Sequence, residues 1–208
     1  MEIDLFGNKV EQKQLTSMQR ISSRQVVIEG RDLYTTEPRD IERFLKVIEK
    51  EGEELKTPIW EPAAGRGDIS KTLIKNGYEV RSSDIYEYRD SEIDILQADF
   101  MLCKNCKDCK TIFTNPPFNM QEQFLEHALS FGVDVIFFVR LSFLSSIRRY
   151  KIYQMYKPKI IYIYVARAHC YKNGDVSKGQ NMIDYCLIWW EPPYTGTYKN
   201  KPVMEWIL

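Results

Sequence analysis

The sequence has no run of eighteen apolar residues and no N-terminal arrangement of basic, apolar and small segments. The first absence excludes a hydrophobic transmembrane helix and the second a secretory leader, so a cytoplasmic protein with no membrane partner is expected. Net charge is absent as well, 29 basic residues cancelling 29 acidic ones over 208 positions. Five cysteines, an odd number, do not make a disulfide framework, and reduced thiols are expected. No internal repeat or interdomain linker interrupts the chain. One domain is expected over residues 31–208, preceded at 1–30 by a mobile or loosely docked lead-in that is rich in Gln, Ser and charge.

The zero total conceals segregation. Residues 140–180 carry nine basic side chains (Arg140, Arg148, Arg149, Lys151, Lys157, Lys159, Arg167, Lys172 and Lys178) against one acid, Asp175. Residues 84–99 reverse the balance, with six acids against Arg89. A single basic surface of this kind suits a phosphate backbone.

Hydrophobic periodicity supplies the fold. Thr36 is placed to cap a helix and Pro38 is preset for its first turn, after which Ile41, Phe44, Leu45 and Ile48 recur at helical spacing until Gly52. Residues 58–68 read as strand, glycine-rich turn and helix start, the helix burying Ile69, Leu73 and Ile74 and ending at Asn76-Gly77. A strand over 79–84 ends on Asp84, and another over 93–98 ends before Asp99-Phe100. Thr111–Thr114 runs into Asn115-Pro116-Pro117-Phe118, with Asn119 and Glu122 marking the start of the next helix. Val133–Val139 is a continuous apolar strand leading to Arg140-Leu141-Ser142-Phe143. A basic helix from Ser145 to about Tyr156, a strand over 159–165, a polar loop over 166–181 and a strand over 182–190 complete the pattern. The last two strands leave no room for a helix between them and should pair antiparallel. The alternation predicts an α/β domain: a mostly parallel seven-stranded sheet, helices on both faces and a terminal antiparallel hairpin.

Open α/β sheets gather their chemistry at the carboxyl ends of the strands, where the polar residues of this sequence fall. Gly65 and Gly67 permit close backbone approach to a ligand, and the helix behind them offers unpaired N–H groups. No third glycine follows, and Glu61 would repel a pyrophosphate, so the turn suits a ligand bearing ammonium and hydroxyl groups. Asp84 can accept both hydroxyls of a ribose. Asp99 beside an aromatic ring suits the amino group and face of an adenine. The two prolines of Asn115-Pro116-Pro117-Phe118 cannot donate and hold φ nearly fixed, which stiffens the turn and points its carbonyls outward. With an amide and a ring, that turn suits a planar group carrying an exocyclic amine. Cys103, Cys106 and Cys109 form a C-x2-C-x2-C run whose fourth ligand is missing, Phe113 standing where it would fall and only His169 and Cys170 remaining as distant donors. An exposed reduced loop without metal is expected, with a structural zinc as the alternative.

Taken in order, Tyr34-Thr35-Thr36-Glu37-Pro38, Trp60-Glu61-Pro62-Ala63-Ala64-Gly65-Arg66-Gly67, Ser83-Asp84-Ile85, Asp99-Phe100, Asn115-Pro116-Pro117-Phe118 and Arg140-Leu141-Ser142-Phe143 resemble the S-adenosylmethionine-dependent amino-methyltransferases. The likeness spans about residues 33–208 and is greatest to small phage-like DNA N6-adenine methyltransferases. It implies a Rossmann-like class I methyltransferase with S-adenosyl-L-methionine as cofactor. By the same resemblance Tyr34, Thr36, Glu61, Ala63, Gly65, Gly67, Asp84, Ile85, Asp99, Phe100 and Asn115 surround the cofactor, and Asn115, Pro116, Pro117 and Phe118 hold the target base. Phe118 stands where the family often has tyrosine.

DNA is the expected partner. RNA adenine, cytosine N4 and a protein glutamine amide remain open, because each presents a planar amine, and so does a non-catalytic homologue. No separate target-recognition domain is visible, so Arg140, Phe143, Arg148, Arg149, Arg167, His169, Lys172 and Lys178 are expected to contact nucleic acid. Glu2-Ile3-Asp4-Leu5-Phe6 resembles the acidic Leu-Phe peptides that dock on bacterial sliding clamps, with Glu2 in place of the usual glutamine, which makes a clamp a second candidate partner.

Overall fold

The computed structural model describes residues 33–88, 91–106, 108–168, 170–172, 183–196 and 201–208. Its strands are β1 (Tyr34–Thr36), β2 (Ile59–Glu61), β3 (Val80–Asp84), β4 (Leu96–Gln97), β5 (Thr111–Thr114), β6 (Asp134–Arg140), β7 (Ile160–Tyr164), β8 (Cys170–Lys172), β9 (Tyr185–Trp190) and β10 (Val203–Ile207). Its helices are α1 (Pro38–Glu51), α2 (Asp68–Lys75), α3 (Gln121–Ser130) and α4 (Ile147–Met155). Eight strands form one sheet in the order β10-β7-β9-β6-β5-β2-β3-β4. The two strands expected to pair antiparallel do so: β9 is antiparallel to β7 on one side and to β6 on the other, and every other neighbouring pair is parallel.

The sheet is Rossmann-like but has eight strands rather than seven. The addition is β10, an edge strand that leaves Met204 and Trp206 exposed, so its five residues gave too short an apolar run to stand out. A second departure is a two-stranded antiparallel sheet in which Tyr34, Thr35 and Thr36 face Lys172, Tyr171 and Cys170. Thr36 therefore does not cap α1: Glu37 occupies that position in extended conformation, Pro38 opens the helix, and Gly52 closes it at φ 73°. Asn119 is not a cap either, because a 3-10 turn over Phe118–Met120 precedes α3. The expected strand over 93–98 shrinks to Leu96–Gln97. Ile74, expected inside, stands 44% exposed at the last turn of α2.

The core lies on both faces of the sheet. Along β6, Val135, Phe137 and Val139 pack with Phe124, Leu125, Leu129 and Ile152 from α3 and α4. The alternate residues Ile136 and Phe138 pack on the other face with Ile41, Phe44 and Ile48 from α1 and Ile69 and Leu73 from α2. Period two on the strand against period 3.6 on the helices thus divides one apolar run between two layers. No helix is long and apolar enough to cross a membrane among the described residues.

The cysteine run corrects a second expectation. Cys106 and Cys109 are buried among Trp60 and Phe100 rather than exposed, with Cα atoms 5.5 Å apart. The Cys103 thiol lies 3.5 Å from the Asp99 carbonyl. Among the described residues no three His, Cys, Asp or Glu side chains converge as a metal site.

Candidate active site at the carboxyl ends of the strands

Each strand of the parallel half delivers one polar residue to the same edge: Glu61 ends β2, Asp84 ends β3, Asp99 follows β4, Asn115 follows β5 and Arg140 ends β6. These ends enclose a cleft of about 270 Å³ that takes in Tyr34, Thr36, Glu61, Ala63, Gly65, Asp84, Ile85, Asp99, Phe100, Asn115 and Pro117. The volume lies near the lower end of the range for small-molecule sites. All but Gly67 of the residues expected around the cofactor line it.

The acids are oriented by backbone donors. Asp84 receives the Gly65 N–H at 2.8 Å on Oδ2 and the Tyr86 N–H at 2.9 Å on Oδ1, which fixes its carboxylate. Asp99 Oδ1 accepts the Met101 N–H at 2.9 Å, capping the short turn over Phe100–Leu102. Glu61 is buried and accepts both the Ser70 N–H, at 2.8 Å, and the Ser70 hydroxyl, which in turn accepts from Ser82 at 2.7 Å. Burial pushes the Glu61 carboxyl well above the ordinary range; the Ser70 hydrogen bonds oppose the shift, and Asp68 and Asp84 reinforce it.

Gly65 and Gly67 serve a different purpose from the one expected. Both have left-handed backbones, φ 56° and 82°, and a Cβ on either would meet Leu33 at 2.8 Å or Ile93 at 2.7 Å. Their missing side chains make room for Leu33 and Ile93, and Gly65 also lines the cleft. Phe100 is 2% exposed and packs with Trp60, Phe124, His127 and Phe131, so most of its ring belongs to the core.

The other wall of the cleft is the Asn115 turn. Asn115 Nδ2 donates to the Tyr34 carbonyl and to Thr36 Oγ1, both at 3.2 Å, with Cys170 Sγ at 3.5 Å. A carbonyl can only accept, so the nitrogen must face β1 and the oxygen must face away. That oxygen, Oδ1, is buried and has no partner. Behind it Pro116 is buried, and the Pro117 carbonyl is taken by the Met120 N–H at 3.0 Å, whereas no described residue donates to the Pro116 carbonyl.

Phe118 stands just outside the cleft lining. Its ring centroid lies 4.2 Å from that of Tyr34 and 4.1 Å from the Arg140 guanidinium, which is 6.0 Å from the Tyr34 ring. Those three lengths close a triangle with about a right angle at Phe118, so the two neighbours cover adjacent sides of the ring and not opposite ones. Arg140 thereby packs against the ring of the Asn115 turn.

Two residues expected on nucleic acid are corrected. Phe143 is 2% exposed, packed in the core under the Arg149 guanidinium, 4.4 Å from the ring. Arg149 itself, its side chain 16% exposed, donates to the Phe143 carbonyl at 2.6 Å and to Glu122 at 2.9 Å, which makes it a clamp between α4 and α3. Arg148 and Arg167 are exposed, Arg167 lying 3.9 Å from Asp184. His169, Lys178, the Lys172 side chain and residues 2–6 lie outside the described residues.

Sequence reasoning missed several lining residues, among them Leu33, Tyr86, Tyr88, Met101, Asn119 and Met120. Tyr86-Glu87-Tyr88, directly after the Asp84-Ile85 strand end, was the available signal: paired rings beside a ligand carboxylate. Leu33 and Met101 gave none, since their places depend on chain returning from elsewhere.

No protein-family model matches the sequence, and no curated protein sequence is significantly similar. Solved structures do match in fold. A Pyrococcus horikoshii protein provisionally named an RNA methyltransferase is 13% identical, with a TM-score of 0.55 over 73% of this chain and 82% of its own. A Listeria monocytogenes protein provisionally named a class I S-adenosylmethionine-dependent methyltransferase is 11% identical, with a TM-score of 0.52 over 95% of this chain and 75% of its own. Magnesium protoporphyrin IX methyltransferase from Synechocystis PCC 6803, solved with S-adenosylmethionine bound, is 10% identical, with a TM-score of 0.50 over 87% of this chain and 86% of its own. The chain has the fold these class I methyltransferases share.

Proposed function

We propose that the protein transfers the methyl group of S-adenosyl-L-methionine to the exocyclic N6 amine of adenine in DNA. The observation that carries the proposal is the Asn115 amide, whose nitrogen is spent on Tyr34 and Thr36 while its buried oxygen has no partner. A buried acceptor without a donor is costly, and it is well kept where a ligand N–H completes it.

The cleft residues fit the cofactor. Glu61 offers a desolvated carboxylate to an ammonium, Asp84 offers a carboxylate oriented by the Gly65 and Tyr86 N–H groups to ribose hydroxyls, and Asp99 offers an acceptor to an adenine amino group. When bound, the cofactor supplies an electrophilic methyl on a sulfonium. The protein's own part is to ready the acceptor. An adenine amine is a poor nucleophile because its lone pair is delocalised into the ring. Asn115 Oδ1 and the Pro116 carbonyl, each accepting one of its hydrogens, draw the nitrogen out of the ring plane and turn that lone pair toward the methyl. Transfer to the amine held by Asn115 and Pro116 would exchange the S–C bond for an N–C bond, leave a neutral thioether and release one amine proton to water. Alignment in a stiff turn, not a strong base, supplies the acceleration. Phe118, held by Tyr34 and Arg140, stacks on the flipped base.

DNA is preferred because the amine-gripping turn lies beside exposed Arg148 and Lys151 and because the motif series resembles DNA enzymes. The experiment is transfer of radiolabelled methyl from S-adenosylmethionine to unmodified DNA, with RNA in parallel and Asn115→Ala as control, followed by nucleoside analysis. N6-methyladenine in DNA, absent from the control, is the expected result. Label in RNA alone would move the acceptor to RNA. Cofactor binding with no label on either polymer would overturn the nucleic-acid reading.

A further inference from the structure

We propose that the outward face of α4 docks double-stranded DNA beside the acceptor turn, Arg148 and Lys151 contacting phosphates while Ile147 and Tyr150 press as an apolar wedge on the base stack. The inference deepens the proposed function and rests on it only for where the target base goes.

The inward face of α4 is fully engaged. Ile152 is buried, Tyr153 donates to the Phe143 carbonyl at 3.1 Å, and Arg149 donates to the same carbonyl and to Glu122 of α3. Glu122 is four residues beyond Phe118, so the clamp holds the first turns of α4 rigidly against the element that follows the acceptor turn. Ser146 fixes the start of the helix by accepting the Arg148 N–H at 3.2 Å.

The outward face breaks the usual rule for a helix on a water-soluble domain. Ile147 is 89% exposed and Tyr150 59% exposed, and the two share one side of the helix at i, i+3. Arg148 and Lys151, also exposed, repeat the same spacing one residue along. No carboxylate pairs with either among the described residues, and α4 contains no acid. The helix thus carries an apolar ridge alongside a basic ridge, with nothing among the described residues to neutralise or cover them. A phosphate backbone supplies the missing charge, and proteins that open or kink a duplex insert Ile and aromatic side chains between base steps. An enzyme that takes a base from a duplex needs such a prop against the stack it disturbs.

The test uses the full chain and three fluorescein-labelled probes of mixed sequence: a 30-base-pair unmethylated DNA duplex, the matching single strand and an RNA duplex. The Arg148→Ala/Lys151→Ala variant should lower the slope of log affinity against log salt by about 1.8 on the DNA duplex, as expected for two lost phosphate contacts. The Ile147→Ser/Tyr150→Ser variant should weaken duplex binding about tenfold with the slope unchanged. Both should bind S-adenosylhomocysteine as wild type does, which shows that they fold. Unchanged slope and affinity, absence of DNA binding by the wild type, preference for the RNA duplex, or variants that instead dissociate a dimer in sedimentation would each overturn the inference. Slope losses without any methylated adenine would leave α4 as a DNA contact and remove the acceptor reading; methylated adenine with unaltered slopes would do the reverse.

Discussion

The two edges of the sheet are built on opposite terms. At the amino edge, Lys56 donates to Asp134 at 3.0 Å and to Glu191 at 2.8 Å, Trp189 Nε1 donates to the second Asp134 oxygen at 3.1 Å, and Lys159 donates to Glu53 at 2.6 Å with Glu191 at 3.4 Å. At the carboxyl edge, Asn115 Oδ1 and the Thr114 hydroxyl are buried without partners, and Glu61 is a buried carboxyl opposed by no cation within hydrogen-bond reach. Among the described residues, one edge closes its polar groups on one another, and the other leaves Asn115 Oδ1 and the Thr114 hydroxyl unpaired. The closed edge secures the fold and the open edge bears the cost of binding, the arrangement expected when strain is confined to a functional site.

The largest expected effect falls on the open edge. Asn115→Ala removes the unspent acceptor and should lower kcat by about 10³-fold, comparable to deleting one oriented polar group in other enzymes, while the urea midpoint stays within experimental error. A variant that lost stability and kept turnover would reverse the assignment of the two edges.

The closed edge should respond in stability alone. Lys56→Met strands the Asp134 carboxylate, 1% exposed, and should cost about 2 kcal/mol in urea unfolding, reduced from the value for a fully buried pair because Lys56 is half exposed. Methyl transfer well below the melting temperature should not change. The edge also has an acid limit. Burial pushes the Glu191 carboxyl up, but Lys56 and Lys159 outweigh it and hold it below the ordinary range. Its contribution is therefore present above the unfolded carboxylate range and lost as pH falls through its lower folded value. Lys56→Met should flatten that acid limb.

Much of the open edge was legible because it is local. A strand, a turn and a helix start occupy consecutive residues, so Glu61, Asp84, Asp99 and Asn115 could each be placed at a strand end from spacing alone, and the paired antiparallel strands followed from a loop too short for a helix. What was not legible depends on distant chain. Thr36 reads as a helix cap until Cys170 pairs with it across β1 and β8. Phe143 and Arg149 read as a nucleic-acid surface from their neighbours' charge, yet an aromatic between Leu141 and Leu144 is drawn into the core and takes the arginine with it. The cysteines look exposed between lysines and are buried because the loop folds onto Trp60 and Phe100. Strand β10 was too short, and too exposed on one face, to register.

Glu61 gives an intermediate effect of opposite sign. Its folded pKa is raised, so its contribution is favourable only below the unfolded carboxylate range and is lost as pH rises through the folded value. Glu61→Gln keeps an acceptor for Ser70 and removes the buried charge. It should therefore stabilise the ligand-free protein by about 1 kcal/mol at neutral pH, a gain that closes as pH falls toward 4. An ammonium in the cleft favours the ionised form, so wild-type affinity for S-adenosylhomocysteine should rise with pH while that of Glu61→Gln stays flat. Calorimetry across the range checks both, and a stabilising effect that grew toward acid pH would contradict the sign.

The smallest effect tests how the open edge keeps its acceptor oriented. Asn115 Nδ2 has two oxygens to donate to, the Tyr34 carbonyl and Thr36 Oγ1, at equal distances. Thr36→Val keeps the shape and removes the hydroxyl, leaving the Tyr34 carbonyl and the weaker Cys170 sulfur to hold the amide. A second orientation, with Oδ1 turned toward β1, is still penalised by that carbonyl but less strongly than before. The expected loss is about fivefold in kcat, under 1 kcal/mol, with KM for the cofactor nearly unchanged and recovery in Thr36→Ser. If Thr36 instead binds the methionine part of the cofactor, as the family resemblance implies, KM rises and kcat at saturation holds. The kcat and KM split therefore tells whether this threonine belongs to the cofactor or to the residue that readies the amine.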